Sequence, residues 1–140
     1  MDRVLYTGGT FDLFHFGHIN FLKQCSRICE NVVVSLNTDE FVSEYKEAPI
    51  MNYSERERSL LCCNYVKRVV PNIFGADSKP TIISVKPNII AVGDDWAHKN
   101  YYEQMQFTPE WLEEQNITLT YIPYCKDIST TEIKDKIKNT

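Results

Sequence analysis

The stretch that most restricts the fold of this chain lies at its amino terminus. Val4-Leu5-Tyr6 is a short apolar run that reads as a strand, and Ile19 to Cys25 carries apolar residues on one face of a helix that continues to about Cys29. Asn31-Val32-Val33-Val34-Ser35-Leu36 follows, a β-branched run suited to an inner strand of a parallel sheet covered on both faces. A strand, a helix and a second strand make the first unit of a strand–helix pattern. The turn between the first strand and the helix reads Gly8-Gly9-Thr10-Phe11-Asp12-Leu13-Phe14-His15-Phe16-Gly17-His18. Glycine lets backbone approach a ligand closely, and free N–H groups at a helix start favour negative charge, so this turn is a phosphate site in outline.

The rest of the chain repeats the pattern. The sequence predicts a helix opening near Tyr53, where Ser54 and Glu57 have capping-box spacing, and a short strand from Val66 to Val70 ending at Pro71. A modest helix is expected over Asp77 to Val85, with Pro80 delaying its start, then a fourth strand at Pro87 to Val92. Thr108-Pro109-Glu110 looks like a capped helix start, and Thr118 to Ile122 is the fifth strand. Five strands alternating with helices predict an α/β fold, a Rossmann-like doubly wound five-stranded parallel sheet, as one domain over residues 1–140. In such sheets the ligand lies outside the carboxyl ends of the strands.

Composition excludes several classes. The net charge of −4 argues against nonspecific nucleic-acid binding, which rests on positive charge. The five cysteines form no Cys-x-x-Cys pair and read as reduced thiols of a cytoplasmic protein rather than metal ligands. No secretory signal and no apolar run of membrane-spanning length is seen, so no membrane insertion is expected.

The chemistry-bearing residues collect at the strand ends. The glycine turn is neither the G-x-G-x-x-G dinucleotide fingerprint nor a Walker loop, which needs lysine where His18 stands. His15 and His18 sit three apart, so both rings can face one bound anion. Asp39 leaves the end of the second strand and reads equally as a site residue or as a cap of the following turn. The polar segment from Val42 to Asn52 carries Lys46, either a phosphate-neutralising cation or an ordinary solvated lysine. Arg56 lies in the first turn of its helix, where a cation opposes the helix dipole, a misfit that hints at a ligand; Arg58 reads as solvated. Gly93-Asp94-Asp95-Trp96 ends the fourth strand and offers a tight turn with two carboxylates. The aromatic segment 97–115 is read as packing, with a lid, acceptor pocket or dimer contact as alternatives. Ser129 and Thr130 can cap the last helix and also bind phosphate oxygens.

Gly9-Thr10-Phe11-Asp12 followed by His15-Phe16-Gly17-His18 closely resembles the signature of the cytidylyltransferase family of nucleotidyltransferases, and the similarity runs from Gly9 to Lys134. The resemblance implies transfer of CMP from CTP to a small phosphorylated acceptor, with release of pyrophosphate. It implies that His15 and His18 donate to the α- and β-phosphates, that Lys46 neutralises the triphosphate, and that Gly9, Thr10, Phe11, Asp12, Gly17 and Arg56 surround the nucleotide. Asp12 is expected to shape the loop. Gly93, Asp94, Asp95 and Trp96 resemble the glycerol 3-phosphate cytidylyltransferase branch, where they help bind base and ribose. A carboxylate or carbonyl there accepts from the cytosine 4-amino group. Ile128-Ser129-Thr130-Thr131 matches the family's second signature at the start of the final helix. Here the chain departs from the pattern. The family version begins Arg-Thr with glycine before the isoleucine, whereas this chain has Tyr124-Cys125 and Asp127, leaving Lys126 to supply charge without a planar fork. The resemblance also implies Mg2+ held mainly by nucleotide phosphates, without a dedicated set of protein ligands, and a homodimer. Glycerol 3-phosphate is the leading acceptor, with phosphocholine and phosphoethanolamine as alternatives. An adenylyltransferase and a catalytically inactive nucleotide-binding module are the competing classes.

Overall fold

A computed structural model describes residues 3–123 and 129–140. Five strands form one parallel sheet: β1 (Leu5–Gly9), β2 (Val32–Asn37), β3 (Arg68–Asn72), β4 (Ile89–Gly93) and β5 (Thr118–Ile122). Their spatial order is β3-β2-β1-β4-β5, with β1 paired to both β2 (Leu5 opposite Val32) and β4 (Leu5 opposite Ile89). The order reverses at β1, so the chain leaves β1 and β4 toward opposite faces and a crevice opens between their carboxyl ends.

The alternation along each inner strand divides the core in two. Leu5, Val32, Val34, Leu36, Ile89 and Ala91 face one side, where helices α1 (Phe16–Ile28) and α3 (Tyr53–Leu61) contribute Leu22, Cys25 and Leu60. Tyr6, Val33, Ile90 and Val92 face the other, against Ile82 and Val85 of α4 (Lys79–Val85). Two short helices, α5 (Tyr101–Met105) and α6 (Pro109–Glu114), complete that side with Tyr101 and Leu112, helped by Phe107 between them. Packing is thus the role of most of the aromatic segment: Phe107 meets Tyr101 edge-on at 5.9 Å and stacks on Trp111 at 6.0 Å. Period-two patterning with both faces covered is what the valine-rich sequence of β2 encodes.

Several boundaries differ from the sequence expectation. The helix α1 begins at Phe16, with His15 as its N-cap, rather than near Ile19. The cap of α3 is Asn52, whose Oδ1 accepts from the Glu55 N–H at 2.9 Å while Glu55 returns a bond to the Asn52 N–H at 3.0 Å. The Asn52/Glu55 pair therefore makes the capping box two residues earlier than Ser54/Glu57. Strand β3 runs through Pro71, which an edge strand tolerates because a missing N–H can face solvent. A one-turn helix α2 (Asp39–Ser43), capped by the Thr38 hydroxyl, follows β2 where only a loop exit was expected. The last helix, α7 (Thr130–Lys138), starts beside the carboxyl end of β1.

Candidate active site

The crevice holds a cavity of about 440 Å³, within the range of small-molecule sites. The β1–α1 loop forms its floor. Phe11 and Leu13 both have φ of 51°, the left-handed region that costs non-glycine residues roughly 1–2 kcal/mol each. Three anchors hold the loop there. The Leu13 N–H donates to Asp12 Oδ1 at 3.1 Å, the Thr130 hydroxyl donates to the Asp12 carbonyl at 2.8 Å, and Arg56 Nη1 donates to the Thr10 carbonyl at 2.8 Å. Gly9 sits under the loop because a Cβ there would meet the Phe11 ring at 2.8 Å.

The two histidines are oriented by the helix they cap. Nδ1 of His15 accepts from the Gly17 N–H at 3.0 Å, and Nδ1 of His18 accepts from the His15 N–H at 3.2 Å. The rings stack with centroids 3.8 Å apart, and Phe14 and Phe11 flank His18. With each Nδ1 committed as an acceptor, each neutral ring carries its proton on Nε2. Burial lowers the pKa of both; for His18, burial and then His15 outweigh Asp12 and press it to about 3. At neutral pH the free site therefore presents two neutral N–H donors.

Around them stand charged groups from three elements. Burial alone would raise the Asp12 carboxyl, but the N–H groups of Met51 and Ile50, at 2.9 and 2.8 Å, and Lys134 at 3.5 Å bring it below its ordinary value. Asp12 thus ties the β1–α1 loop to the segment before α3. Lys46 and Lys134 both line the cavity, and burial and then Lys134 lower the Lys46 pKa against the pull of Asp12. Sequence reasoning missed Lys134 as a site residue; its signal is the four-residue spacing from Thr130, which puts both on one face of α7.

Thr10, Phe11, Asp12, His15, Gly17 and His18 are brought together with Lys46 on the cavity wall. Gly9, Gly93, Asp95, Trp96, Ser129 and Thr130 join them there. Ser129 is at the same time the cap of α7, its hydroxyl accepting from the Glu132 N–H at 3.1 Å. Asp94 is exposed at the start of a short 3-10 helix (Asp94–His98) and does not line this wall. Arg56 and Asp39 lie beneath it. Arg56 is 0% exposed and donates to the carbonyls of Thr10, Asn37 and Met51 and, at 2.6 Å, to Asp39 Oδ1. Those partners, rather than a ligand in the cavity, account for a cation in the first turn of α3. Lys126 and Ile128 lie outside the described residues, as do Tyr124, Cys125 and Asp127.

Comparison with known proteins decides the family. The cytidylyltransferase-like family model matches residues 6–136. The chain belongs to the cytidylyltransferase-like family.

Among its relatives, the glycerol-3-phosphate cytidylyltransferase of Bacillus subtilis strain 168 is 33% identical over 137 residues, covering 98% of each chain. The ethanolamine-phosphate cytidylyltransferase of Dictyostelium discoideum is 40% identical over 96 residues, which are 67% of this chain and 27% of that protein. Among solved structures, a lipopolysaccharide core biosynthesis protein from Thermoplasma volcanium superposes with a TM-score of 0.70 at 25% identity, covering 88% of this chain and 98% of that one. This cytidylyltransferase-like chain therefore carries the family's fold over nearly its whole length. Among the described residues no helix is long and apolar enough to cross a membrane.

Proposed function

We propose that this protein transfers the cytidylyl group of CTP to a small phosphorylated acceptor, glycerol 3-phosphate, and releases pyrophosphate. One observation carries the reading: two neutral imidazoles, fixed by main-chain N–H groups, present Nε2–H donors in one cavity with Lys46 and Lys134. An oxygen of the acceptor phosphate attacks the α-phosphorus. The bond from that phosphorus to the bridging oxygen of the β-phosphate breaks, and its electron pair leaves with pyrophosphate. No protein nucleophile is needed, so the protein positions the reactants and stabilises developing charge. His15 and His18 donate to the phosphates between which the bond breaks. Lys46 and Lys134 neutralise the triphosphate, Ser129 and Thr130 hold its far end, and Asp95 with Trp96 receives the nucleoside.

Mg2+ belongs to the same reading, as a Lewis acid on the phosphate oxygens. The donor set fits an ion carried by the nucleotide. Among the described residues no cluster of three or more His, Cys, Asp or Glu could hold a metal, and Asp12 is already engaged by main-chain N–H groups. Among the described residues Asp95 and Glu47 are the other carboxylates on the cavity wall and would face such an ion through water. The protein acts in the cytoplasm, where its nucleotide donor is made, and works as a homodimer, which sedimentation velocity tests directly.

The similarity to ethanolamine-phosphate cytidylyltransferases favours phosphoethanolamine as the second acceptor to examine. The test is pyrophosphate release with CTP and Mg2+ against phosphorylated acceptors, with ATP as control nucleotide. Release that needs CTP and glycerol 3-phosphate is expected, with kcat about 100-fold lower or worse in His18→Ala, the usual loss for one transition-state donor. ATP-dependent release, or activity untouched by His18→Ala, overturns the assignment.

A further inference from the structure

A second, smaller cavity of about 190 Å³ lies across the Gly8–Thr10 turn from the first and shares with it the wall made by Gly8, Gly9, Thr10, Val92 and Trp96. At about 30 Å³ per water it has room for roughly six, enough for a three-carbon chain but not for a nucleoside. Two buried polar atoms line it, on residues 7% and 1% exposed: Asn72 Oδ1 has no hydrogen-bond partner among the described residues, and Ser35 Oγ has no well-formed one, only the Tyr6 hydroxyl close beside it. Such atoms are rare in native proteins and mark a missing water or ligand.

The orientation of Asn72 is determined by its other bonds. Its Nδ2 donates to the Gly75 carbonyl and to Asn37 Oδ1, each at 3.0 Å. A carbonyl only accepts, so the Asn72 amide cannot flip and its oxygen is left over. Asn37 in turn donates from Nδ2 to Thr10 Oγ1 at 3.1 Å. The Thr10 hydroxyl, accepting there, keeps its own proton for a third group, and Thr10 lines both cavities. An aligned chain of amides thus runs from the smaller cavity to a donor at its junction with the nucleotide site.

The lining chooses between acceptor chemistries. Among the described residues no Asp, Glu, Lys, Arg or His lines the smaller cavity. A primary ammonium would enter without a carboxylate to neutralise it; the rings of Tyr6, Phe41, Tyr45, Trp96 and Tyr101 on the wall return less by cation–π contact than burying the charge costs. A trimethylammonium has no N–H for Asn72 Oδ1. A hydroxyl satisfies Asn72 as donor and Ser35 as either partner. We propose that this cavity is the acceptor compartment and that Ser35 and Asn72 select a short, uncharged polyol phosphate over an amino-alcohol phosphate. The proposal rests on the cytidylyl-transfer reading and specifies its acceptor class.

The test uses the full chain and the variants Ser35→Ala and Asn72→Ala, at saturating CTP and Mg2+. Pyrophosphate release is followed against glycerol 3-phosphate and phosphoethanolamine, with thermal melting to establish that each variant folds. The wild type should favour glycerol 3-phosphate in kcat/KM. Ser35→Ala should raise the KM for glycerol 3-phosphate about tenfold, the worth of one buried hydrogen bond, and leave the KM for CTP unchanged. An unchanged glycerol 3-phosphate KM in folded variants, meaning the cavity holds only water, overturns the proposal, as does a wild-type preference for phosphoethanolamine. If CTP supports no release with any acceptor, the transfer reading fails by itself. Calorimetric binding of glycerol 3-phosphate then decides the compartment: tenfold weaker binding to Ser35→Ala keeps it, and equal or absent binding overturns it.

Discussion

Replacing Arg56 separates a ligand-binding arginine from a structural one. The guanidinium is fully buried, and its four hydrogen bonds, at 2.6 to 3.0 Å, reach Thr10 in the β1–α1 loop, Asn37 and Asp39 after β2, and Met51 before α3. Exchanging a whole buried ion network for apolar side chains can be neutral, but Arg56→Met leaves three carbonyls in place without donors. Removing one partner of a buried charged pair costs about 3–5 kcal/mol. The Asp39 side chain is 38% exposed and regains water, so the lost donors to Thr10, Asn37 and Met51 make up most of the penalty. For a domain of this size about 3–4 °C is lost per kcal/mol, which predicts a fall in melting temperature of roughly 10–15 °C. Arg56→Lys keeps the charge without the fork and should recover about half of it. Asp39→Asn retains an acceptor oxygen and should cost about 1 kcal/mol or less. Calorimetry of the three variants, with the KM for CTP alongside, is the assay. An Arg56→Met protein that melts within about 3 °C of wild type while its KM for CTP rises tenfold would refute the structural role and return Arg56 to the nucleotide.

Acid should destabilise the free protein well above the carboxylate range. The folded His18 pKa of about 3 lies below the unfolded value of 6.5, so the unfolded state takes up the proton first. Stability is then complete above about pH 6.5 and declines as pH falls from there, by at most about 1.4 kcal/mol per pH unit for this group. His15 acts in the same direction. Denaturant titrations at pH 7.5 and 5.5 should show the loss, and His18→Ala should flatten it; equal stability at both pH values in the wild type would contradict it. Gly9→Ala should impair turnover more than folding, because the new methyl displaces the Phe11 ring, whose centroid is 5.2 Å from that of His18. A folded Gly9→Ala enzyme with wild-type kcat would show that the ring contact does not position the histidine.

Where local chemistry decides the outcome, the sequence was readable. The valine run of β2, the glycine turn and the capped start at Thr108-Pro109 mark a parallel sheet of five strands with the histidines at a helix N-terminus, though not the order in which the strands lie side by side. What was not readable depends on groups that meet only in three dimensions. The first-turn position singled out Arg56 over the solvated Arg58 but not its partners; these are the carbonyls of Thr10, Asn37 and Met51, which turn toward it from three separate segments. The cap at Asn52 was hidden by a competing box two residues on, and the bond from Tyr53 N–H to Asp39 Oδ2 at 3.1 Å, across a loop, reinforces the earlier start. Ser35 reads as one polar residue within an apolar strand. Its significance depends on Asn72, which lines the same small cavity from β3.

The geometry of the free site also says what a polyanion would change. Both imidazoles are held neutral by burial, His18 also by His15, and Lys46 is disfavoured in its charged form by burial and by Lys134. Each of these costs is lowered by negative charge in the same cavity. A triphosphate should therefore raise the pKa of His15, His18 and Lys46 together, and proton uptake on CTP binding should grow as pH falls from 7.5 toward 5.5. The donors themselves need not move, because Gly17 and His15 N–H groups already fix each ring through Nδ1. That is the preorganisation a transition state requires, since no reorientation is left to be done when charge develops. At a CTP concentration of about 100 times Kd, binding adds roughly 2.7 kcal/mol to stability, or about 8–10 °C in melting temperature. His15→Ala and His18→Ala should each reduce that shift while leaving the unliganded protein more resistant to acid. A nucleotide-induced shift that is unchanged in both variants would mean that the imidazoles do not face the phosphates.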